Sequence, residues 1–146
     1  MPNAVIQAGQ EDHAIRAVIE ELFEALRAKD VDRILSYYTQ NCVIYSLAPP
    51  LVTPSDPGIL TKWLAGFEGP MRYELRDLSI VSGGDVGYCH GLVRMGGNSP
   101  EGEFDLWHRR SFGLRKVDER WLVAHEHESV PFAMDGSFCA LTDLEP

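Results

Sequence analysis

Toward the C-terminal end, the run Trp121-Leu122-Val123-Ala124-His125-Glu126-His127-Glu128-Ser129 sets two imidazoles two residues apart. On an extended strand every second side chain shares a face. Without a bulge, Trp121, Val123, His125, His127 and Ser129 stand on one side and Leu122, Ala124, Glu126 and Glu128 on the other. Such a histidine pair serves as a general base, as half of a metal site, or as a structural pair bonded to hydroxyls and carbonyls. Zinc, iron or copper would need a third ligand from another strand, such as His90 or Asp105. Nothing in the sequence fixes one, so no metal is assigned.

Just upstream, the same alternation puts Asp105, Trp107, Arg109, Ser111 and Gly113 on one face and Leu106, His108, Arg110, Phe112 and Leu114 on the other. Arg109 and Arg110 therefore point in opposite directions. An inward arginine beside a tryptophan and histidines could clamp a carboxylate or enolate oxygen with two parallel hydrogen bonds, the alternative being an internal salt bridge to Asp105 or a glutamate. Most of Tyr37, Tyr38, Tyr45, Trp63, Tyr88 and His90 read as core, and a fraction of them are the aromatic and imidazole groups that a cavity between helices and sheet would recruit. No Gly-x-Ser-x-Gly elbow supports serine catalysis. Gly83-Gly84 and Gly96-Gly97 read as hairpin turns, since neither opens a helix that could cradle a phosphate, and no cofactor is implied.

The elements that must position these groups follow from periodicity. From Asp12 to Lys29, the residues Ile15, Val18, Ile19, Leu22, Phe23 and Leu26 recur at helical spacing. Asp30 caps a short second helix, and Cys42–Leu47 reads as a first strand ending at Pro49-Pro50. Asp56-Pro57 opens a third helix whose apolar side is Leu60, Trp63, Leu64 and Phe67. Four strands follow, over 71–81, 86–95, 103–117 and 120–132, joined by short turns that favour antiparallel hairpins. The tail 133–146 either packs on the outside or crosses to a second subunit. Helices followed by a run of strands is an α+β order.

The sequence has 146 residues, 45% of them hydrophobic, with 13 Lys and Arg against 22 Asp and Glu for a net charge of −9. That size suits a single domain over 1–146 with its core at about 12–132. The negative charge repels nucleic acid and anionic lipid, so neither is an expected partner. The uncharged stretch around Tyr45–Ser55 is interrupted by prolines and far too short to span a bilayer. Three scattered cysteines and the lack of a signal-peptide pattern point to the cytoplasm.

The helix 14–29, the segment Asp30-Val31-Asp32-Arg33-Ile34-Leu35-Ser36-Tyr37-Tyr38, the run Trp107-His108-Arg109-Arg110-Ser111 and the closing His125-Glu126-His127-Glu128-Ser129-Val130-Pro131 together resemble one family. It is the SnoaL-like, ketosteroid-isomerase-homologue branch of the nuclear transport factor 2-like superfamily. The resemblance implies a conical α+β barrel of cystatin-like type, with a strongly curved, mostly antiparallel sheet wrapped around three N-terminal helices, a deep pocket and usually a homodimer. It carries Arg-x-Ser onto Arg109 and Ser111, and His-x-His-x-Ser onto His125, His127 and Ser129. Asp118-Glu119-Arg120 departs from the Asp-Gly turn of relatives. The steroid-isomerase positions fall near Leu22, Ser46 and Ser111, none of which supplies the tyrosine, carboxylate base or protonated aspartate of that chemistry.

These readings lead to a domain that holds a small, partly apolar molecule, which could be anionic, in a cone lined by Tyr45, Trp63, Trp107, Ser111, His90 and Ser129. If it turns that molecule over, proton transfer next to a carbonyl is implied, of isomerase, dehydratase or cyclase type, with His125 or His127 as base and Arg109 on the developing oxyanion. The alternative is a non-catalytic binding or dimerisation module whose histidines and arginine satisfy one another.

Overall fold

The computed structural model describes residues 3–146, with side chains from residue 11 onward. Helix α1 (Asn3–Ala28) begins earlier than its periodic core and buries Ile15, Ile19, Leu22, Phe23 and Leu26 along one side. Lys29 then takes a left-handed φ of 56°, and Asp30 accepts a hydrogen bond from the Arg33 amide at 3.1 Å to start α2 (Val31–Leu35). Asp56 accepts from the Gly58 amide at 2.9 Å ahead of α3 (Pro57–Ala65). In both places a carboxylate meets amides that the helix itself leaves unpaired.

The strands are β1 (Tyr38–Tyr45), β2 (Glu68–Gly83), β3 (Val86–Ser99), β4 (Gly102–Val117) and β5 (Arg120–Ser129). They form one sheet in the order β1-β5-β4-β3-β2. β1 runs parallel to β5, and the other pairings are antiparallel. Helix α1 packs against both β2, at one edge, and β5, near the other, so the sheet curls around it. Between them lies the core of Phe23, Met71, Cys89, Val93, Phe112, Trp121 and Val123. No helix among the described residues is long and apolar enough to cross a membrane.

Two local expectations change, and the departure at Asp118-Glu119 takes a definite form. Gly96 and Gly97 are not a turn but the interior of β3, where a Cβ on Gly97 would sit 2.8 Å from Phe67 Cδ1 and 2.9 Å from Met71 Sδ. The glycine lets β2 and the segment after α3 close on the sheet. The first strand starts at Tyr38, because its pairing with β5 begins there before a register shift. The β4–β5 turn puts both Asp118 (φ 49°) and Glu119 (φ 64°) in the left-handed region that a tight hairpin demands.

The most consequential change is a bulge in β5. Gly113 pairs with His125, whereas the next residue, Leu114, pairs with Val123, which leaves Ala124 as the extra residue. One extra residue reverses the facing of everything beyond it. Trp121 and Val123 point to the helices, and after the bulge Glu126 and Glu128 do, with His125, His127 and Ser129 turned to the opposite face.

Candidate functional site

The strict alternation of β4 carries Leu106, His108, Arg110, Phe112 and Leu114 into the space between sheet and helices. The β5 bulge brings Glu126 and Glu128 in beside them, since Arg110 pairs with Glu128 and Phe112 with Glu126 across the strands. Arg110 thus lies in a buried carboxylate clasp. Its Nε is 3.1 Å from Glu126 Oε1 without the alignment of a hydrogen bond, and its Nη2 donates to Glu128 Oε1. Tyr38 donates its hydroxyl hydrogen to Glu126 Oε2 at 2.9 Å, and the rings of Phe23 and Phe112 lie 5.5 and 5.9 Å from the guanidinium carbon.

Burial and charge act on these groups in opposite senses. Burial alone would drive the Arg110 proton off, but the two carboxylates outweigh it and hold the guanidinium more firmly protonated than usual. Burial pushes the Glu126 carboxyl up. Burial also works against the Glu128 carboxylate, yet Arg110, His108 and the Leu47 amide together hold it down. The two carboxyls flank one guanidinium and titrate as a pair, with Glu126 moved up by burial and Glu128 moved down by Arg110. His108, 2% exposed, is lowered to about 4 by burial first and by Arg110 second, so it is neutral near pH 7. Neither of its ring nitrogens has a protein partner, and Arg110 Nη1 is likewise unpaired. Buried polar groups left so are uncommon, and each is expected to find water or a ligand.

The clasp adjoins a groove of about 710 Å³ beneath the Ser46–Val52 segment. Its wall is Tyr45, Leu47, Leu51, Val52, His127 and Glu128, so Glu128 is shared between the groove and the buried cluster. The segment is held by Thr53, whose amide donates to Ile44 O at 2.9 Å and whose hydroxyl donates to Ser46 Oγ at 3.1 Å.

The residues singled out from the sequence are distributed differently from that expectation. Arg109 is exposed on the outer face and donates from Nε to Ser129 Oγ at 3.1 Å, so the inward arginine is Arg110. His125 and His127 share this outer face, not the face of Trp121 and Val123. His125 Nδ1 lies 2.7 Å from Val43 O, and Tyr45 stands edge-on to both imidazoles, at 5.1 and 5.5 Å. Ser111 is exposed between His90 on β3 and His127 on β5 in one cross-strand row. Trp107 also faces outward, with the Arg76 guanidinium 4.9 Å from its ring, and Asp105 is taken by Arg94. Trp63 lies on α3 against Phe67 at 5.2 Å, half-exposed. Of the expected lining residues only Tyr45 and His127 reach the groove. Among the described residues no three His, Cys, Asp or Glu side chains converge as a metal site. His108, Glu126 and Glu128 are what the sequence reading left out, while Tyr38 counted there among the aromatics that could line a cavity and Arg110 as the oppositely facing neighbour of Arg109, its shared face with Leu106, Phe112 and Leu114 being a signal for its burial.

With this geometry in hand, residues 15–133 match the SnoaL-like domain family. A crystal structure of an NTF2-like protein of unknown function from Pseudomonas putida KT2440 is 28% identical over 95% of this chain and 99% of that one, with a TM-score of 0.85. A ketosteroid isomerase-like protein from Erwinia carotovora atroseptica is 17% identical over 82% of this chain and 95% of its own, with a TM-score of 0.64. The association domain of CaMKII from C. elegans is 13% identical over 84% of this chain and 98% of its own, with a TM-score of 0.67. A comparison with curated proteins gave no match.

Proposed function

This chain belongs to the SnoaL-like domain family, and from that premise we propose that it binds a small, partly apolar, uncharged molecule where the groove under Ser46–Val52 meets the His108–Arg110–Glu126–Glu128 cluster. The observation that carries the reading is the set of unpaired buried atoms, His108 Nδ1 and Nε2 and Arg110 Nη1, in the cluster that shares Glu128 with the groove. An apolar groove with a few convergent polar groups is the ordinary composition of a ligand site.

The preference for a neutral ligand follows from charge. Arg110 already faces two carboxylates, one of them held ionised, so an entering anion would meet Glu128 before any unopposed positive charge. The anion clamp expected of Arg109 has no place in this reading, because that side chain does not line the groove and is bonded to Ser129. Proton transfer at a carbon next to a carbonyl is the fitting chemistry for turnover. His127 at the groove mouth and Glu128 at its wall are the proton-accepting groups within reach, and Arg110 Nη1 is the donor for a developing oxyanion.

Native mass spectrometry of gently purified protein tests this directly. Extra mass on the native ions that is lost on denaturation, and that is missing from a Leu47→Trp variant filling the groove, is the expected result. Native ions free of added mass, together with no thermal stabilisation of the wild type by any neutral apolar carbonyl compound, would remove the reading.

A second reading is favoured by a separate observation. Val43, Tyr45, Val81, Val86 and Tyr88 stand exposed on the outer sheet face, a solvent-facing side that would normally alternate to polar residues. Self-association as a homodimer through that face accounts for them, and the likeness to a CaMKII association domain is compatible with it. The three unpaired cysteines fit residence in a reducing compartment such as the cytoplasm.

A further inference from the structure

We propose that the buried end of this site recognises a primary carboxamide, whose oxygen accepts from Arg110 Nη1 and whose NH2 group donates to His108 and Glu126. The inference rests on the ligand-binding reading above and names the head group that the site takes.

The unsatisfied atoms of the cluster define the chemistry. His108, Arg110 and Glu126 are 2, 5 and 3% exposed. Yet His108 Nδ1 and Nε2, Arg110 Nε and Nη1, and Glu126 Oε1 have no hydrogen-bond partner among the described residues. Arg110 Nη1 carries hydrogens only. His108 is neutral near pH 7, so one of its ring nitrogens carries a hydrogen and the other a lone pair. Glu126 accepts from Tyr38 at Oε2 and keeps Oε1 as a second acceptor. The cluster therefore lacks both acceptors and donors, and a ligand that completes it must bring both.

The strand ends place these atoms toward the groove. β4 pairs with β5 from Arg109, opposite Ser129, onward, so His108 is the first inward position of β4 without a β5 neighbour. β1 makes its last pairing at Tyr45, opposite His127, and continues as the Ser46–Val52 segment, whose Leu47 amide donates to the Glu128 carboxylate. The same carboxylate takes Arg110 Nη2, which leaves Nη1 as the free arm of the guanidinium. Val93, opposite His108 on β3, and the rings of Phe23 and Phe112 beside Arg110 have no hydrogen-bonding group to offer. Tyr45, Leu47, Leu51 and Val52 supply the apolar wall for the rest of the molecule.

Comparison of head groups singles out the carboxamide. A ketone carries lone pairs and no hydrogen, so it answers Arg110 and leaves the lone pairs of His108 and Glu126 Oε1 unmet. A carboxylate has the same defect and adds a negative charge beside Glu128, which Arg110 holds ionised. A hydroxyl has one hydrogen on one atom and reaches a single acceptor. A primary carboxamide is uncharged and sets an oxygen and two N–H groups on neighbouring atoms in one plane. Arg110 and His108 stand two residues apart on one strand face, about 7 Å between their backbones, so a head group with donor and acceptor side by side bridges them. Discrimination of this kind is strong because the buried groups stay unpaired with the wrong ligand.

Titrations of the full chain at pH 7.5, followed by the nitrogen NMR signals of its imidazoles, test the assignment. The signals lost in His108→Leu identify His108. The probes are cyclohexanecarboxamide, acetylcyclohexane, cyclohexylmethanol and cyclohexanecarboxylate, which share an apolar ring and differ in the head group. The carboxamide is expected to shift the His108 signals and to bind about tenfold or more tighter than each of the others. In His108→Leu its affinity falls to that of the ketone. A ketone or alcohol that binds the wild type as tightly as the carboxamide overturns this inference and leaves the neutral-ligand reading standing, as does a carboxamide preference that survives in His108→Leu. A carboxylate that binds as tightly overturns both. Binding of none of the four overturns this inference, and native ions free of added mass decide separately against the reading it rests on. The ranking on the wild type decides the matter however well His108→Leu folds.

Discussion

His108 offers a direct measurement of the buried cluster, because it is an imidazole lodged where its charged form is disfavoured. Its proton affinity falls from the ordinary 6.5 to about 4 in the fold, through burial first and the Arg110 charge second. Above pH 6.5 the side chain is neutral in both the folded and the unfolded chain, and stability does not depend on it. As pH falls through 6.5 the unfolded chain takes up a proton that the folded one refuses, so folding stability is lost down to about pH 4 and is constant below. Linkage gives a loss of ~2 kcal/mol at pH 5 and ~3 kcal/mol once both states are protonated. The perturbation is His108→Leu, which removes the titration together with two buried nitrogens that lack partners. At pH 7.5 the variant should stand within ~1 kcal/mol of the wild type, since the polar penalty and some packing are lost together. Urea unfolding at pH 7.5 and pH 5 reads the result. The wild type should lose about 2 kcal/mol more than the variant between the two pH values. Contributions of Glu126, Glu128 and the other carboxylates occur in both proteins and cancel to first order in the difference. Parallel losses in the two proteins would refute the reasoning, because they would mean that the imidazole titrates alike in the folded and unfolded chain.

Three further outcomes follow from the same geometry. Arg110→Met strands Glu126 and Glu128 without a counter-charge and should lower stability by ~3–5 kcal/mol at pH 7 in urea unfolding, with part of the loss recovered at pH 5 as the carboxyls take up protons. Glu126→Gln should cost clearly less than Glu128→Gln in the same assay, because burial already favours the protonated form of Glu126 while Arg110 and the Leu47 amide hold Glu128 ionised. Glu119→Gly should raise the thermal midpoint through a gain of about 1 kcal/mol, since Glu119 sits at φ 64° in the β4–β5 turn.

Much of the architecture was legible because its causes are local. Asp30 and Asp56 cap helices through hydrogen bonds to amides two or three residues away, and the Ile15–Leu26 stripe needs only helical spacing to declare its buried side. The alternation of β4 was equally readable, and it correctly set Arg109 and Arg110 on opposite faces. Which face was inside was also written there, since Arg110 and His108 alternate with Leu106, Phe112 and Leu114, and three apolar neighbours outweigh the usual preference of an arginine for solvent.

The candidate site escaped for a reason that no single strand contains. The side on which His125 and His127 fall is decided by where β5 pairs with β4, and the extra residue at Ala124 is a property of that pairing. Upstream of it Trp121 and Val123 obey the simple alternation, and downstream the same alternation holds with its sign reversed. Glu126 and Glu128 then read as solvent-facing charges by type, although each stands across from a buried partner strand position. The compensation is visible only once the strands are paired: Arg110 opposite Glu128, and Phe112 opposite Glu126 with Tyr38 reaching over from β1. A buried arginine between two glutamates is therefore the signal to look for in such a sequence. An inward arginine on one long strand needs a counter-charge, and the alternating acids of β5 supply it here because the extra residue at Ala124 turns them inward.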